Sequence, residues 1–88
     1  MEQPKHLICG VHITDRLQHA VQVQEVLTGY GRYIKTRVGL HEVGEESSSP
    51  NGVLLMEFIG EEAKFQELSL KLAKIEGVEV KQMVFDHP

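Results

Sequence analysis

The hydrophobic pattern of this chain predicts an α+β sandwich in the order βαββαβ, with a four-stranded antiparallel sheet carrying two helices on one face. Three observations support it. Strand-length apolar segments occur four times, three of them with strand-like alternation. Two longer stretches between them repeat apolar residues every three or four positions, the helical period. The 88 residues are the length of one domain, read here as spanning 1–88 with a structured core over about 6–86.

The first strand is Leu7 to Ile13, with Leu7, Cys9, Val11 and Ile13 on one face and His6, Ile8, Gly10 and His12 on the other. Thr14 or Asp15 then offers an N-cap, because either side chain can accept a hydrogen bond from a free N–H of the first turn. The helix runs from Asp15 to about Tyr30, its buried stripe made by Leu17, Ala20, Val23, Leu27 and Tyr30 and widened by Val21 and Val26. Gly29 and Gly31 are expected to end it in the left-handed conformation. From Tyr33 to Val43 the sequence alternates again. Ile34, Thr36, Val38 and Leu40 point one way, and Lys35, Arg37, Gly39 and His41 the other, as suits an edge strand.

Residues 44–52 are polar, end in the turn pair Asn51-Gly52, and read as a mobile hairpin loop. Val53 to Ile59 is a strand apolar on both faces apart from Glu57. Glu61 and Glu62 follow Gly60 where the dipole of a second helix favours negative charge. Phe65, Leu68, Leu72 and Ile75 form its core stripe, with Ser69 and Ala73 beside them, and Gly77 terminates it. The last strand, Val78 to Phe85, sets Val78, Val80 and Val84 on one face and Met83 and Phe85 on the other. This is the ferredoxin-like arrangement, in which right-handed crossovers put both helices on one side and the first and third strands at the centre.

Two helices cover one face of such a sheet. Ile8, Gly10, Val53, Leu55 and Ile59 would lie on the uncovered face, where an apolar patch usually marks a partner site. Homo-oligomerisation, as a dimer or tetramer through the sheet face or edges, is therefore expected. A loop or tail folded over the patch is the simpler alternative.

Composition narrows the function. The net charge of -4 argues against direct nucleic-acid binding by this chain, since phosphate contacts need a basic surface. No apolar run approaches the roughly 20 residues that span a bilayer, and the first residues show no export signal, so no membrane and a cytoplasmic location are expected. The single Cys9 excludes an intrachain disulfide and reads as a small core residue. No catalytic residues are expected: there is no phosphate loop, nucleophile elbow or HExxH helix, and Glu45-Glu46 and Glu61-Glu62 diverge as sequence neighbours. The spacing His6-x-x-Cys9-x-x-His12 looks metal-like, but on a strand Cys9 faces away from both histidines, so neither a metal nor a cofactor is assigned.

Two groups remain as ligand-binding candidates. Arg37 and His41, on the solvated face of the second strand, pair a positive and a titratable group that can hold an anionic or amphoteric small molecule. Edge-strand charges also serve simply to prevent aggregation. Thr14 and Asp15 stand at a helix N-terminus, where free N–H groups can receive an anion, although capping explains them equally.

Ile13-Thr14-Asp15-Arg16, Val26-Leu27 and Arg37-Val38-Gly39, with the closing Leu72-Ala73-Lys74-Ile75-Glu76-Gly77-Val78-Glu79-Val80-Lys81, resemble the small family of iron-only hydrogenase system regulators. The likeness runs from about Leu7 to Phe85. That family is ACT-like and similar to the C-terminal regulatory domain of nickel-responsive repressors, which assembles through its sheets and binds effectors between subunits. The resemblance implies a non-catalytic transcriptional or metabolic regulator that senses a small-molecule effector at a subunit interface. The nickel set does not transfer, because Asn51 and Gly52 stand where that domain's cysteine is expected. Only six residues precede Leu7, so no ribbon-helix-helix arm is seen. The competing classes are a protein-interaction or assembly module without a small ligand, and a metal-sensing oligomer built on His6, His12 or His41.

Overall fold

The computed structural model describes residues 5–40 and 51–87. The elements are β1 (His6–Ile13), α1 (Arg16–Gly29), β2 (Ile34–Leu40), β3 (Gly52–Phe58), α2 (Glu62–Ala73) and β4 (Val78–Phe85), with a 3-10 turn at Gly31–Tyr33 between α1 and β2. All strand pairings are antiparallel and the sheet order is β2-β3-β1-β4, so the chain is a ferredoxin-like α+β fold with β1 and β3 at the centre.

Alternation along β1 decides which face is buried. Leu7, Cys9, Val11 and Ile13 lie opposite Phe58, Met56, Leu54 and Gly52 of β3 and opposite Val84, Gln82, Val80 and Val78 of β4. The helices close over this face with Val23, Leu27 and Tyr30 from α1 and Phe65, Leu68 and Leu72 from α2, all buried. Each such side chain contributes about 1.5–3 kcal/mol by leaving water. The Phe65 ring sits 5.3 Å from that of Phe58, which stacks on Tyr33 at 5.5 Å. Among these apolar groups Gln82 keeps its amide partnered, donating to Ser69 Oγ at 2.6 Å.

Several local expectations change. Val21 is 65% exposed and does not widen the core stripe. It stands two residues from Val23, about 200° around the helix. Ala73 is exposed, whereas His19, not foreseen as a core residue, is buried. The side chains of Leu17 and Leu40 lie outside the described residues.

Asp15 occupies the N-cap position of α1 but makes no side-chain capping bond. A capping side chain normally belongs to a residue in extended conformation, whereas Asp15 is left-handed at φ 51°. Its N–H is instead accepted by the Asn51 side-chain oxygen at 2.9 Å. Asn51-Gly52 is thus the entry to β3, with Gly52 its first residue.

Gly29 and Gly31 are not left-handed. α1 ends on Tyr30, whose N–H reaches the Leu27 carbonyl at 3.1 Å, and the chain passes directly into the 3-10 turn. The left-handed region is needed at Gly77 (φ 81°), where the chain turns out of the second helical segment. Gly77 accepts a hydrogen bond from Thr14 N–H at 2.7 Å, and a Cβ there would stand 2.9 Å from the His19 ring.

The largest departure is in β2. Ile34 pairs with Phe58, but Thr36 pairs with Glu57 and Arg37 with Met56, so Lys35 is an extra, bulged residue. A bulge reverses the facing of everything beyond it. Ile34 joins the helix side, while Thr36 and Val38 fall at positions facing the open side. Arg37 and Gly39 fall on the helix side. Simple alternation places Ile34 with Thr36, Val38 and Leu40, and the bulge separates them.

Candidate functional site

The two faces of the sheet present two features. On the open face Ile8, Gly10 and Val53 are half-buried and Leu55 is 38% exposed. Ile59, one residue beyond β3, is also exposed, and its N–H is tied to the Tyr33 carbonyl at 2.6 Å. Val38, brought to this face by the bulge, and Met83 and Phe85 from β4 extend the apolar strip, each about half exposed. The sequence named these three for their strands but not for the patch. Polar groups flank the strip. His6 Nε2 and Glu57 Oε2 are 2.5 Å apart, with the His6 ring 6.0 Å from that of Phe85, and Lys81 and Glu79 lie on the β4 side.

On the helix side a groove runs between α1 and β2. One part, of about 300 Å³, is lined by Ile13, Ala20, Val23 and Leu54 together with Gly39 and Gly52. The other, of about 290 Å³, is lined by Leu27, Thr28, Gly31, Ile34, Lys35 and Thr36. Gln24 and Arg37 belong to both, and Arg37 donates to the Gln24 side-chain oxygen across the groove at 3.4 Å.

This placement corrects the expectation for Arg37, which does not share the solvated face of β2, because the bulge turns it toward α1. His41 lies outside the described residues. Thr14 and Asp15 do not appear among the groove's described lining, although Ile13 before them and Gly52, beside the Asn51 that holds Asp15, both line it. Gln24 and Lys35 were not singled out from the sequence. Gln24 carries no signal beyond its turn on α1, and no residue type announces a bulge at Lys35.

The titratable groups set limits on chemistry. Burial pushes the Cys9 thiol up to about 11, far from a reactive thiolate. Tyr30, by hydrogen bonding, and Lys64 hold the exposed Glu67 carboxyl below its ordinary range, and the Lys71 ammonium stands 5.1 Å over the Tyr30 ring. His6 and His12 are six strand residues apart, roughly 20 Å, and His6 is engaged by Glu57. Among the described residues no group of three or more His, Cys, Asp or Glu is placed to hold a metal ion. No described helix is long and apolar enough to cross a membrane.

A ferredoxin-like sandwich with one open apolar sheet face and one helix-side groove is the class that this geometry defines. Among solved structures the chain is similar to an uncharacterized protein from Thermotoga maritima, at 26% identity and a TM-score of 0.79, covering 93% of this chain and 98% of that one. It also shares its fold with a formyltetrahydrofolate deformylase from Pseudomonas syringae, at 12% identity and a TM-score of 0.61, over 91% of this chain but 27% of the deformylase. The deformylase from Pseudomonas putida is matched in the same way, at 13% identity and a TM-score of 0.55, over 89% of this chain and 28% of that one. No protein-family model matches the chain, and no curated protein does.

Proposed function

We propose that this chain is a non-catalytic, ACT-like regulatory module that works as a homo-oligomer and senses a small-molecule effector. The observation that carries the assembly is the open sheet face. Leu55, Val38, Met83 and Phe85 remain more than a third exposed on one continuous side of the sheet, where nothing in the chain's described residues covers them. A patch of this kind on so small a domain is characteristic of a surface that meets a partner. Ile8, Gly10, Val53, Leu55 and Ile59 are the proposed interface, the first four on the central strands and Ile59 just beyond the end of β3.

The effector part rests on the groove beside Arg37, with Thr14 and Asp15 at the neighbouring corner and His41 further along the same chain segment. The likeness in the Thr14-Asp15-Arg16 and Arg37-Val38-Gly39 segments favours membership of the iron-only hydrogenase system regulators, and with it a regulatory role. Near-complete mutual coverage with the small Thermotoga maritima protein supports treating this fold as one module.

Sedimentation equilibrium over a concentration series tests the assembly. A dimer or tetramer is expected, and a clean monomer at roughly 100 µM, weaker than most functional homo-oligomers, would remove it. Thermal-shift screening with amino acids, nucleotides, organic acids and divalent metals tests the effector, because a ligand that prefers the folded state raises the melting temperature.

A further inference from the structure

We propose that the groove between α1 and β2 binds a small amphiphilic organic anion, a monocarboxylate with a compact branched apolar part. This deepens the effector-sensing reading and rests on it. The bulge is the central observation. In a regular strand beginning with Ile34 toward the helices, residue 37 would face the open side, three positions further on. Inserting Lys35 as an unpaired residue puts Arg37 opposite the buried Met56, on the helix side. Bulges of this kind commonly re-aim a side chain beside a functional site.

The surroundings supply the other half of the ligand. Toward β3 the groove wall is apolar, made by Ile13, Ala20, Val23 and Leu54, and its floor includes Gly39 and Gly52, which bring no side chains to fill it. Toward the start of β2 the lining becomes polar, with Lys35 and Thr28. Arg37 stands where the two parts meet. An arginine fork matches a carboxylate with two parallel hydrogen bonds, and Gln24, already within hydrogen-bond distance of Arg37, offers an amide to orient it. A space of about 300 Å³ is at the small end of ligand sites. In a chain of net charge -4, two cations beside one apolar groove select against other small apolar molecules in favour of an anion.

Isovalerate is the probe, titrated into the full chain and followed by two-dimensional amide NMR, with isovaleramide, acetate and inorganic phosphate in parallel. The expected result is saturable shifts at Ala20, Gln24, Gly39 and Leu54. Isovaleramide and acetate should bind at least about tenfold more weakly, the first lacking the charge and the second the apolar part. Arg37→Gln should also weaken isovalerate by at least about tenfold, with Arg37→Lys intermediate. Arg37 is exposed, so these variants should keep the wild-type melting temperature. Ala20→Leu, which fills the apolar part, should reduce binding independently.

Equal binding of isovaleramide, unchanged binding by Arg37→Gln, or no saturable response to isovalerate would overturn the proposal. A thermal-shift hit on a neutral or cationic compound with isovalerate silent would leave effector sensing standing and remove this ligand class. Silence in both assays would remove both.

Discussion

Replacing Leu55 with Asp isolates the open sheet face from the rest of the fold. Full burial of a leucine side chain is worth about 1.5–3 kcal/mol, so the 38% of Leu55 left exposed offers about 0.6–1.1 kcal/mol per subunit on association. A two-fold interface counts it twice, giving about 1.2–2.2 kcal/mol. The variant also forces two carboxylates into a desolvated face, each costing several kcal/mol. The sum exceeds about 3 kcal/mol, which predicts a dissociation constant raised more than about 100-fold. The monomer loses less. Leu55 reaches across Gly10, where a Cβ would meet its Cδ2 at 3.4 Å, and giving up the part already buried costs about 1–2 kcal/mol. Sedimentation equilibrium measures the first effect and thermal unfolding of the dilute protein the second. Val21→Asp is the control, because Val21 is an equally apolar exposed residue on α1, away from the sheet. Association by Leu55→Asp at wild-type affinity, or equal dissociation by Val21→Asp, would refute the assignment of the open face.

Other outcomes follow from single residues. Gly77→Ala should destabilise by more than about 1–2 kcal/mol, because the positive φ is strained for alanine and the new Cβ meets the His19 ring at 2.9 Å and the Thr14 carbonyl oxygen at 3.2 Å. Gly29→Ala should be neutral or stabilising by up to about 1 kcal/mol, since nothing lies within 4 Å of its Cβ position and its φ is not positive. Chemical denaturation of the two variants gives both numbers. Cys9 should resist alkylation in the folded protein and react at the rate of unfolding. Its pKa rises on folding from 9.0 to about 11, so the unfolded chain releases its proton first, and stability should fall as pH rises through that window. Thermal melts from pH 8 to 11, comparing wild type with Cys9→Ala, check the sign: the variant should lack this component of the decline.

The core was legible where the apolar period was unbroken. Leu7, Cys9, Val11 and Ile13 are buried as alternation requires, and Phe65, Leu68 and Leu72 as a helical stripe requires. What could not be read lies where tertiary partners overrule local preference. Asp15 looks like a cap by type, but the contact with Asn51, 36 residues away, gives its N–H a different partner. Gly29 looks like a left-handed terminator, yet the 3-10 turn that follows makes that conformation unnecessary.

The bulge at Lys35 matters most, because one unpaired residue affects both candidate surfaces together. It sends Val38 to the open face, adding to the apolar strip that Leu55 and Ile8 begin, and sends Arg37 to the helix side, where a charged group borders the groove. A strand in which Lys35 took its own paired place in the ladder would do the reverse, putting a guanidinium within the open face and a valine against α1. The guanidinium would then face desolvation in any sheet-to-sheet assembly, and the groove would lack its cation. Association and ligand binding therefore depend on the same register in β2. Deleting the unpaired Lys35 would leave Ile34 and Thr36 as regular neighbours opposite Phe58 and Glu57, so that variant should keep the facing of Val38 and Arg37 and with it both functions, while variants at Leu55 or Arg37 lose one each.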